Sequence, residues 1–331
     1  MDQTQLAFFL IAIAGFLQGT FGIFIKNTAP LKWENFWLIF STLSYLVGPL
    51  IFAYFQIPNL FQILPIIPPD LVYLPLLFGM VWGIGSITFG ISVVKIGISL
   101  TYSIILGLVT LLGTILPIFI NNITFNPRAL TFLIIGLSVI LTGIFLSGYA
   151  GVLKDKILNP KAKLALGGII LAVISGLFSS LLNIGFVTGG GISLYVQSLG
   201  IQSENASSLV ALVVLFGGFL TNFGYAVHLL IKNKTIYLYK KLNTKVFLPI
   251  FISSLCWYGT FALFGISSAK LGNLGPSVGW AILISLTIVI SNIWGIKFGE
   301  WKGVKKAFNL QLIALKLIIL GVIAVAFSAF V

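Results

Sequence analysis

The chain has 331 residues, of which 59% are hydrophobic and only 8% are charged. A soluble globular protein carries about 25% charged residues, so this composition excludes a chain whose surface faces mostly water. The net charge of +13 at pH 7 is divided among short segments between apolar runs, which argues against a nucleic-acid partner. The single cysteine, Cys256, excludes an internal disulfide and a metal site built from cysteines, and no cofactor is expected.

Ten apolar runs of about 20 residues recur along the chain, and each is long enough to cross a hydrocarbon core about 30 Å thick. Backbone amides in lipid must pair within their own segment, so runs of this length predict helices rather than barrel strands. The sequence therefore predicts an all-α polytopic membrane protein, whose first span lacks the features of a cleaved signal peptide. The predicted spans are 4–25, 36–56, 71–94, 98–120, 129–149, 164–186, 207–231, 246–268, 275–297 and 308–330.

The basic residues indicate the orientation of these spans. If the N-terminus lies outside, the outer loops hold only Arg128 and Lys270, and the other loop lysines all face the cytoplasm. This asymmetry follows the positive-inside rule, and it favours contact of the cytoplasmic loops with anionic membrane lipid. Because ten is an even number of spans, both termini are predicted to face outward. The lysine-rich segment 151–163 is then a cytoplasmic link.

Residues 81–97, "VWGIGSITFGISVVKIG", are similar to residues 256–272, "CWYGTFALFGISSAKLG". The two copies fall in the third span of each five-span half, so equivalent helices cross the membrane in opposite directions. Such an inverted repeat is typical of secondary transporters. We predict a first repeat at 1–150, the link at 151–163 and an inverted second repeat at 164–331, with coincidence of composition as the alternative. The identical pairs are Trp82/Trp257, Phe89/Phe264, Gly90/Gly265, Ile91/Ile266, Ser92/Ser267, Lys95/Lys270 and Gly97/Gly272.

Several short segments recur in the order shown by one family of carriers. They are "GFLQGTFGIFIK" (15–26), "KWENFW" (32–37), "VWGIG" (81–85), "FG" (89–90), "IGIS" (96–99), "GT" (113–114), "GGFLTNFGY" (217–225), "CWY" (256–258) and "GEW" (299–301). In these segments the chain resembles the L-rhamnose–proton symporter family of the drug/metabolite transporter superfamily. The resemblance implies ten helices in an inverted five-plus-five arrangement, a central substrate cavity, a sugar or similar polar solute, and symport with protons.

Two tryptophans are predicted to lie near the middle of the membrane. Trp82 and Trp257 fall close to the centres of their spans. Aromatic faces stack on the apolar C–H face of a sugar, and an indole N–H can donate to a hydroxyl. We predict that the two residues form opposite walls of a substrate site, with helix packing as the alternative. Tryptophans near span ends suit the headgroup region instead, and these are Trp33, Trp37, Trp294 and Trp301.

A neutral solute with hydroxyls also requires polar side chains within the membrane. Such groups are costly in lipid unless they are paired, so they are expected to face the protein interior. The candidates for substrate binding are Gln18, Ser86, Tyr102, Asn183, Asn222, Tyr258 and Thr260. For Asn183 and Asn222, hydrogen bonding between helices is the alternative.

All six acidic residues fall at span ends or in loops. Proton-coupled carriers rely on a buried ionisable group, and the remaining candidates are Lys316, inside the tenth span, and His228, near the cytoplasmic end of the seventh. The alternatives are snorkelling of Lys316 to the headgroups and a solvated His228. Glu34 and Glu300, each close to a lysine in sequence, are candidates for interfacial ion pairs or gates.

These features predict a multi-pass secondary active transporter in the cytoplasmic (inner) membrane of a bacterium. Its solute would be a small polar metabolite, best explained as a monosaccharide such as L-rhamnose, moved by alternating access and coupled to protons by family resemblance. The alternatives are an amino-acid or drug exporter of the same superfamily, an uncoupled sugar facilitator, and a membrane sensor. An enzyme is not expected, because one histidine and no intramembrane acid do not form a catalytic cluster.

Overall fold

The computed structural model describes residues 2–158 and 166–331. Within these residues, ten helices are long and apolar enough to cross a membrane, and no strand is present in the part described. The predicted all-α polytopic fold with ten transmembrane helices is therefore confirmed. The helices are α1 (Gln3–Ile25), α2 (Trp33–Gln56), α3 (Pro69–Ile96), α4 (Ile98–Ile120), α5 (Pro127–Leu158), α6 (Leu166–Ser198), α7 (Ser203–Lys232), α8 (Thr244–Lys270), α9 (Gly272–Lys297) and α10 (Lys305–Phe327).

The fifth helix is longer than the sequence predicts. α5 continues to Leu158, so residues 151–158 of the segment predicted as a link are helical. This stretch is too polar to be recognised as a membrane span, but it contains no proline that would end the helix. The rest of the predicted link, through residue 163, lies outside the described residues.

The segment between the predicted sixth and seventh spans is also mostly helical. Gly190–Ser198 forms a short helix that continues α6 after a break at Gly189. α7 then begins at Ser203, four residues before its predicted start. Ser203 and its neighbours are polar, so hydrophobicity alone places the start of the helix too late.

Both copies of the repeated segment end at a glycine with a positive φ. Gly97, between α3 and α4, has a φ of 81°, and Gly272, two residues after the end of α8, has a φ of 58°. A residue with a Cβ is strained in this left-handed region, so glycine is the residue that ends a helix in this way. The matching Lys-x-Gly sequences therefore end the third helix of each half alike, which supports the duplication. Its inversion stays a prediction.

The helices pack into two compact units, and each unit draws on both halves of the sequence. Unit 1 combines residues 1–84 with Leu181–Gly272, and unit 2 combines residues 85–180 with Asn273–Val331. The boundaries fall inside α3 and α6, so these two helices contribute to both units. The predicted repeats describe a sequence duplication rather than packing units, and they stay a prediction.

Unit 2 is built on a close contact between α5 and α10. A Cβ at Gly136 would lie 2.9 Å from the Gly321 carbonyl oxygen, and a Cβ at Gly321 would lie 2.7 Å from the Gly136 carbonyl oxygen. Small residues allow backbones to approach in this way in lipid, where close packing drives helix association. In the same unit the buried Trp280 ring packs on Gly113 and donates from Nε1 to the Val109 carbonyl oxygen at 3.1 Å.

The orientation inferred from the loop charges predicts which positions a membrane-impermeant thiol reagent reaches in intact cells. After replacement of Cys256 by Ser, cysteines at Lys156 and Lys240 should stay unlabelled, because these exposed residues lie on the predicted cytoplasmic side. A cysteine at Ser203, exposed at the start of α7, should label. Permeabilised cells are the control, since all three cysteines should then react. The reverse labelling pattern in intact cells would contradict both the orientation and the inverted repeat.

Candidate functional site

Three aromatic side chains from three helices meet within unit 1. Between ring centroids, Tyr45 of α2 lies 4.6 Å from Trp257 of α8 and 5.2 Å from Trp82 of α3. Trp82 and Trp257 stack at 5.7 Å with an interplanar angle of 27°. The exposures of Tyr45, Trp82 and Trp257 are 1%, 6% and 5%. We call these three residues the aromatic cluster.

The stacking of the two tryptophans corrects one part of the sequence-based prediction. Opposite walls require a gap that admits a sugar ring, but the rings of Trp82 and Trp257 are in contact. The two rings stack on each other instead. The position of each tryptophan in its span indicates depth in the membrane, but it does not determine which neighbours the ring meets. Their role in binding a substrate stays a prediction.

Glycines at the contact between α3 and α7 position Trp82. A Cβ at Gly79 would lie 1.9 Å from a carbonyl oxygen of α7, so the two backbones touch. A Cβ at Gly218 would lie 2.2 Å from Cζ3 of Trp82, so the indole ring packs directly on this glycine. Gly83 is covered by the side chain of Thr221. Gly79 and Gly83 have the spacing of small residues that is typical of tight helix pairs in membranes.

An irregular turn of α2 presents Tyr45 to the two tryptophans. Leu43–Val47 form a π-helical turn, which contains Tyr45 and holds one residue more than a regular turn. Directly after this turn, Gly48 packs against the ring of Tyr258, where a Cβ would come within 3.0 Å of Cδ1. The predicted site residue Tyr258 is therefore held beside the aromatic cluster. Turns of this type are frequent at functional sites.

Two of the predicted polar residues in unit 1 form hydrogen bonds between helices. The fully buried Asn222 accepts from Trp37 Nε1 at 2.9 Å and donates to the Gly218 carbonyl oxygen at 2.8 Å. Trp37 therefore connects α2 with α7, although its sequence position suggests a headgroup-region residue. The hydroxyl of Thr260 lies 3.2 Å from the Ala14 carbonyl oxygen and contacts its own helix as well. Asn222 therefore makes an interhelical hydrogen bond, and its role in substrate binding stays a prediction.

The other predicted substrate residues are divided between the units. Gln18 and Asn183 lie in unit 1, and Asn183 is fully buried in α6. Ser86 and Tyr102 belong to unit 2, where the exposed Tyr102 ring packs edge-on against a phenylalanine of α3 at 4.8 Å. The structure therefore brings most of the predicted residues into unit 1, which also contains the aromatic cluster.

A buried carboxylate holds one end of unit 1. Glu34, 6% exposed, accepts on Oε1 from Asn233 Nδ2 at 3.0 Å and from Thr235 Oγ1 at 2.9 Å. The Asn35 side chain donates to the Thr235 carbonyl oxygen, and Tyr239 donates to the Asn35 carbonyl oxygen at 3.2 Å. Burial raises the pKa of Tyr239 to about 12, and the nearby Glu34 charge acts in the same direction. These bonds attach the start of α2 to the connection between α7 and α8, and the gate role of Glu34 stays a prediction.

The opposite end of unit 1 contains an ion pair that sequence spacing does not reveal. Lys270, at the end of α8, pairs with Glu204, at the start of α7. Its Nζ also donates to Gln3 Oε1 of α1 at 3.0 Å. The Lys270 side chain is largely buried, so this pair is less screened by salt than a surface pair. The cluster joins the ends of three helices.

The remaining titratable candidates lie at the surface. Lys316 of α10 and His228 of α7 are both exposed, which agrees with a snorkelling lysine and a solvated histidine rather than with buried coupling groups. Glu300 is also exposed, and its carboxylate lies close to Gly295 near the end of α9. Among residues 2–158 and 166–331, no three His, Cys, Asp or Glu side chains are grouped so that they could hold a metal ion.

Ten membrane-spanning helices and a buried aromatic cluster flanked by polar side chains define a multi-pass membrane protein of the transporter class. The family model described as L-rhamnose-proton symport protein matches residues 5–329. The chain therefore belongs to this family, as the sequence motifs predict.

Two similar proteins, both named L-rhamnose-proton symporter, come from enterobacteria. The protein of Yersinia pestis (strain Pestoides F) is 25% identical over 292 residues, which cover 84% of each chain. The protein of Pectobacterium atrosepticum is 24% identical over 317 residues, which cover 92% of this chain and 90% of the relative.

Replacement of Gly218 by Ala should destabilise the protein, because the new Cβ would lie 2.2 Å from the buried Trp82 ring. Overpacking of this kind costs about 1–3 kcal/mol. Gly224→Ala on the same helix is the matched control, since a Cβ there meets nothing within 4 Å. It should be neutral or slightly stabilising, because alanine is the better helix former. Thermal unfolding in detergent measures both, and equal melting temperatures would contradict the packing of Trp82 on Gly218.

The exposure of Lys316 predicts that its charge is dispensable for coupling. Lys316→Met should leave solute uptake and its dependence on the proton gradient unchanged in proteoliposomes. Lys270→Met is the contrasting variant, because it removes the partner of Glu204 and should lower the melting temperature. Loss of the proton dependence in Lys316→Met would identify this lysine as the coupling group after all.

Proposed function

We propose that the protein carries L-rhamnose or a closely similar monosaccharide, together with protons, across the cytoplasmic membrane of a bacterium by alternating access. Membership of the family and the names of the relatives support the sugar and the proton. The structural observation that supports it best is the aromatic cluster, a face of stacked rings buried within unit 1.

The chemistry around the aromatic cluster suits a monosaccharide. A sugar presents hydroxyl groups together with apolar C–H faces, and a deoxy sugar such as L-rhamnose adds a methyl group. The indole rings of Trp82 and Trp257 offer apolar surface for the C–H face or the methyl group. An amino acid or a cationic drug would instead require a buried opposite charge near the rings. The buried carboxylate of Glu34 is occupied by Asn233 and Thr235 at the end of the unit.

The positions of charged residues in the two halves support an inverted repeat. Glu34 and Glu204 are each the second residue of the second helix in their half. Lys95 and Lys270 each precede by two residues the left-handed glycine that follows the third helix. In an inverted repeat, such equivalent positions lie at opposite faces of the membrane.

The two ends of unit 1 offer places where access could change. One end is held by the hydrogen bonds of Glu34, and the other by the ion pair of Glu204 with Lys270. Neither group of contacts is apolar, so each can exchange its partners for water without a large loss of free energy. We infer that these two groups of contacts open in turn during transport.

Uptake of radiolabelled L-rhamnose into proteoliposomes tests the proposed function. With an inwardly directed proton gradient, the protein should accumulate the sugar above its external concentration, and a protonophore should abolish the accumulation. Equilibration without accumulation would indicate a facilitator, and movement of amino acids but not of sugars would indicate the exporter. If no monosaccharide of a panel binds or moves, the proposal is wrong.

The aromatic cluster makes a direct prediction about affinity. Trp82→Ala and Trp257→Ala should each weaken L-rhamnose binding about fivefold, because stacking contributes about 1 kcal/mol. Trp294→Ala is the control, since this tryptophan lies near the end of α9, where it packs with Phe298 and Lys297. Isothermal titration of the purified protein measures the three affinities. Equal losses in all three variants would indicate general destabilisation rather than a site.

A further inference from the structure

Three buried hydroxyls of unit 1 make no hydrogen bond within the described chain. Elsewhere in these helices, hydroxyls bond to a backbone carbonyl one turn earlier, as Thr42 does to Leu38 at 2.7 Å. Ser44, Ser254 and Tyr258 depart from this pattern, since their oxygens are buried and have no partner among residues 2–158 and 166–331. The exposures of the three side chains are 0%, 3% and 7%.

These hydroxyls belong to α2 and α8, which contact each other. The ring of Tyr258 packs on Gly48. Ser254 precedes Tyr258 by one turn, so the two share a face of α8. Ser44 lies in the π-helical turn that ends directly before Gly48. The aromatic cluster joins α2 and α8 at the same level, because Tyr45 follows Ser44 directly. The three hydroxyls therefore adjoin the aromatic cluster.

Gln18 adds a buried acceptor from α1. Ser253 donates to the Phe21 carbonyl oxygen at 2.9 Å, and Thr260 lies 3.2 Å from the Ala14 carbonyl oxygen. α1 therefore runs antiparallel along α8, and Gln18 lies between these two contacts, at the level of the aromatic cluster. Its side-chain oxygen is buried and accepts no hydrogen bond from the described part of the chain.

A buried polar group without a partner lowers the stability of the fold, because its lost hydrogen bonds to water are not replaced. Four such groups on α8 and on the two helices that adjoin it, α1 and α2, are therefore unexpected unless another molecule completes them. Unit 2 contains three similar hydroxyls, of Thr101, Thr114 and Ser277. Thr101 and Thr114 are separated by about 20 Å along α4, so they do not form a comparable cluster.

We propose that Ser44, Ser254 and Tyr258 are the hydroxyl-binding groups of the sugar site and that Gln18 supplies a further acceptor. This inference rests on the proposed function and specifies the atoms that recognise the solute. A serine or tyrosine hydroxyl can donate and accept at once, as a sugar hydroxyl does. The Gln18 oxygen only accepts, so it selects a sugar hydroxyl that donates. The aromatic cluster beside them covers the apolar face of the same ring.

Adjacent serines of α8 provide a matched pair of variants. Ser254→Ala should weaken binding of L-rhamnose at least about fivefold while leaving the melting temperature of the sugar-free protein unchanged or raised, because the deleted hydroxyl has no partner there. Ser253→Ala should do the opposite, since it removes the bond to Phe21 but no sugar contact. Wild-type affinity in Ser254→Ala, or a loss of stability equal to that of Ser253→Ala, would overturn the inference.

The same comparison applies to α2, where Ser41 is the control for Ser44. The Ser41 hydroxyl bonds to the Leu38 carbonyl oxygen at 3.3 Å, so Ser41→Ala should affect stability rather than affinity. Ser44→Ala should weaken binding of L-rhamnose without destabilising the sugar-free protein. A change confined to the melting temperature in both variants would contradict a binding role for Ser44.

Monodeoxy analogues of L-rhamnose identify the contact made by Tyr258. Tyr258→Phe should weaken binding of the parent sugar, but it should not weaken further the binding of the one analogue that lacks the hydroxyl in contact. Additive losses with every analogue would show that the phenol contacts no sugar hydroxyl. Sugar binding by the wild type distinguishes the proposed function from the assignment of these hydroxyl groups. If it binds no monosaccharide, the proposed function fails and this inference with it, whereas normal wild-type binding with unaffected variants overturns this inference alone.

Discussion

The close contact of α3 with α7 is the constraint on which the candidate site depends. Lipid does not drive helices together by expelling water, so their association requires backbones that approach closely. Gly79 and Gly83 on α3 and Gly218 on α7 provide this approach. Because Gly218 has no side chain, the ring of Trp82 occupies the space beside it. From there it meets the aromatic rings of α2 and α8.

Unit 1 combines well-bonded ends with a middle in which several buried hydroxyls lack partners in the described chain. At its ends, Glu34 and Glu204 are both engaged by partners from other helices. In between, the hydroxyls of Ser44, Ser254 and Tyr258 have no partner in the described chain. A fold optimised for stability alone would bond or remove these hydroxyls. Natural proteins need only enough stability for function, so they can keep unbonded hydroxyls at a functional site. The distribution of bonds therefore separates residues that maintain the fold from residues available to a solute.

The membrane-spanning helices were the most predictable part of the molecule, because twenty apolar residues have few alternatives in lipid. The sequence does not predict the helical extension at 151–158, because this stretch is polar and lacks the long apolar run that marks a membrane span. The repeated Lys-x-Gly sequence ends in Gly97 in one copy and in Gly272 in the other, and both glycines have a positive φ.

The sequence predicted less of the candidate site. It identified Trp82, Trp257 and Tyr258 by depth and residue type, but the stacking of the tryptophans depends on contacts among three helices. Ser44 and Ser254 could not be distinguished from Ser41 and Ser253 by any local pattern. What separates them is whether a carbonyl oxygen lies within reach, which is a property of packing. The exposure of Lys316 was undetermined for the same reason, because depth in a span does not specify which helix face is covered.

The π-helical turn at Leu43–Val47 has a consequence for how α2 can change in evolution. A turn closed by bonds to the fifth residue accommodates one residue more than a regular turn. Each residue of an α-helix rotates the chain by about 100°, so one extra residue in a regular helix would turn every later side chain away from its neighbours. The wider turn absorbs this residue, so the half of α2 that carries Gly48 keeps its direction relative to the half that carries Glu34. A single-residue deletion in this turn would therefore restore a regular helix and leave Gly48 facing Tyr258.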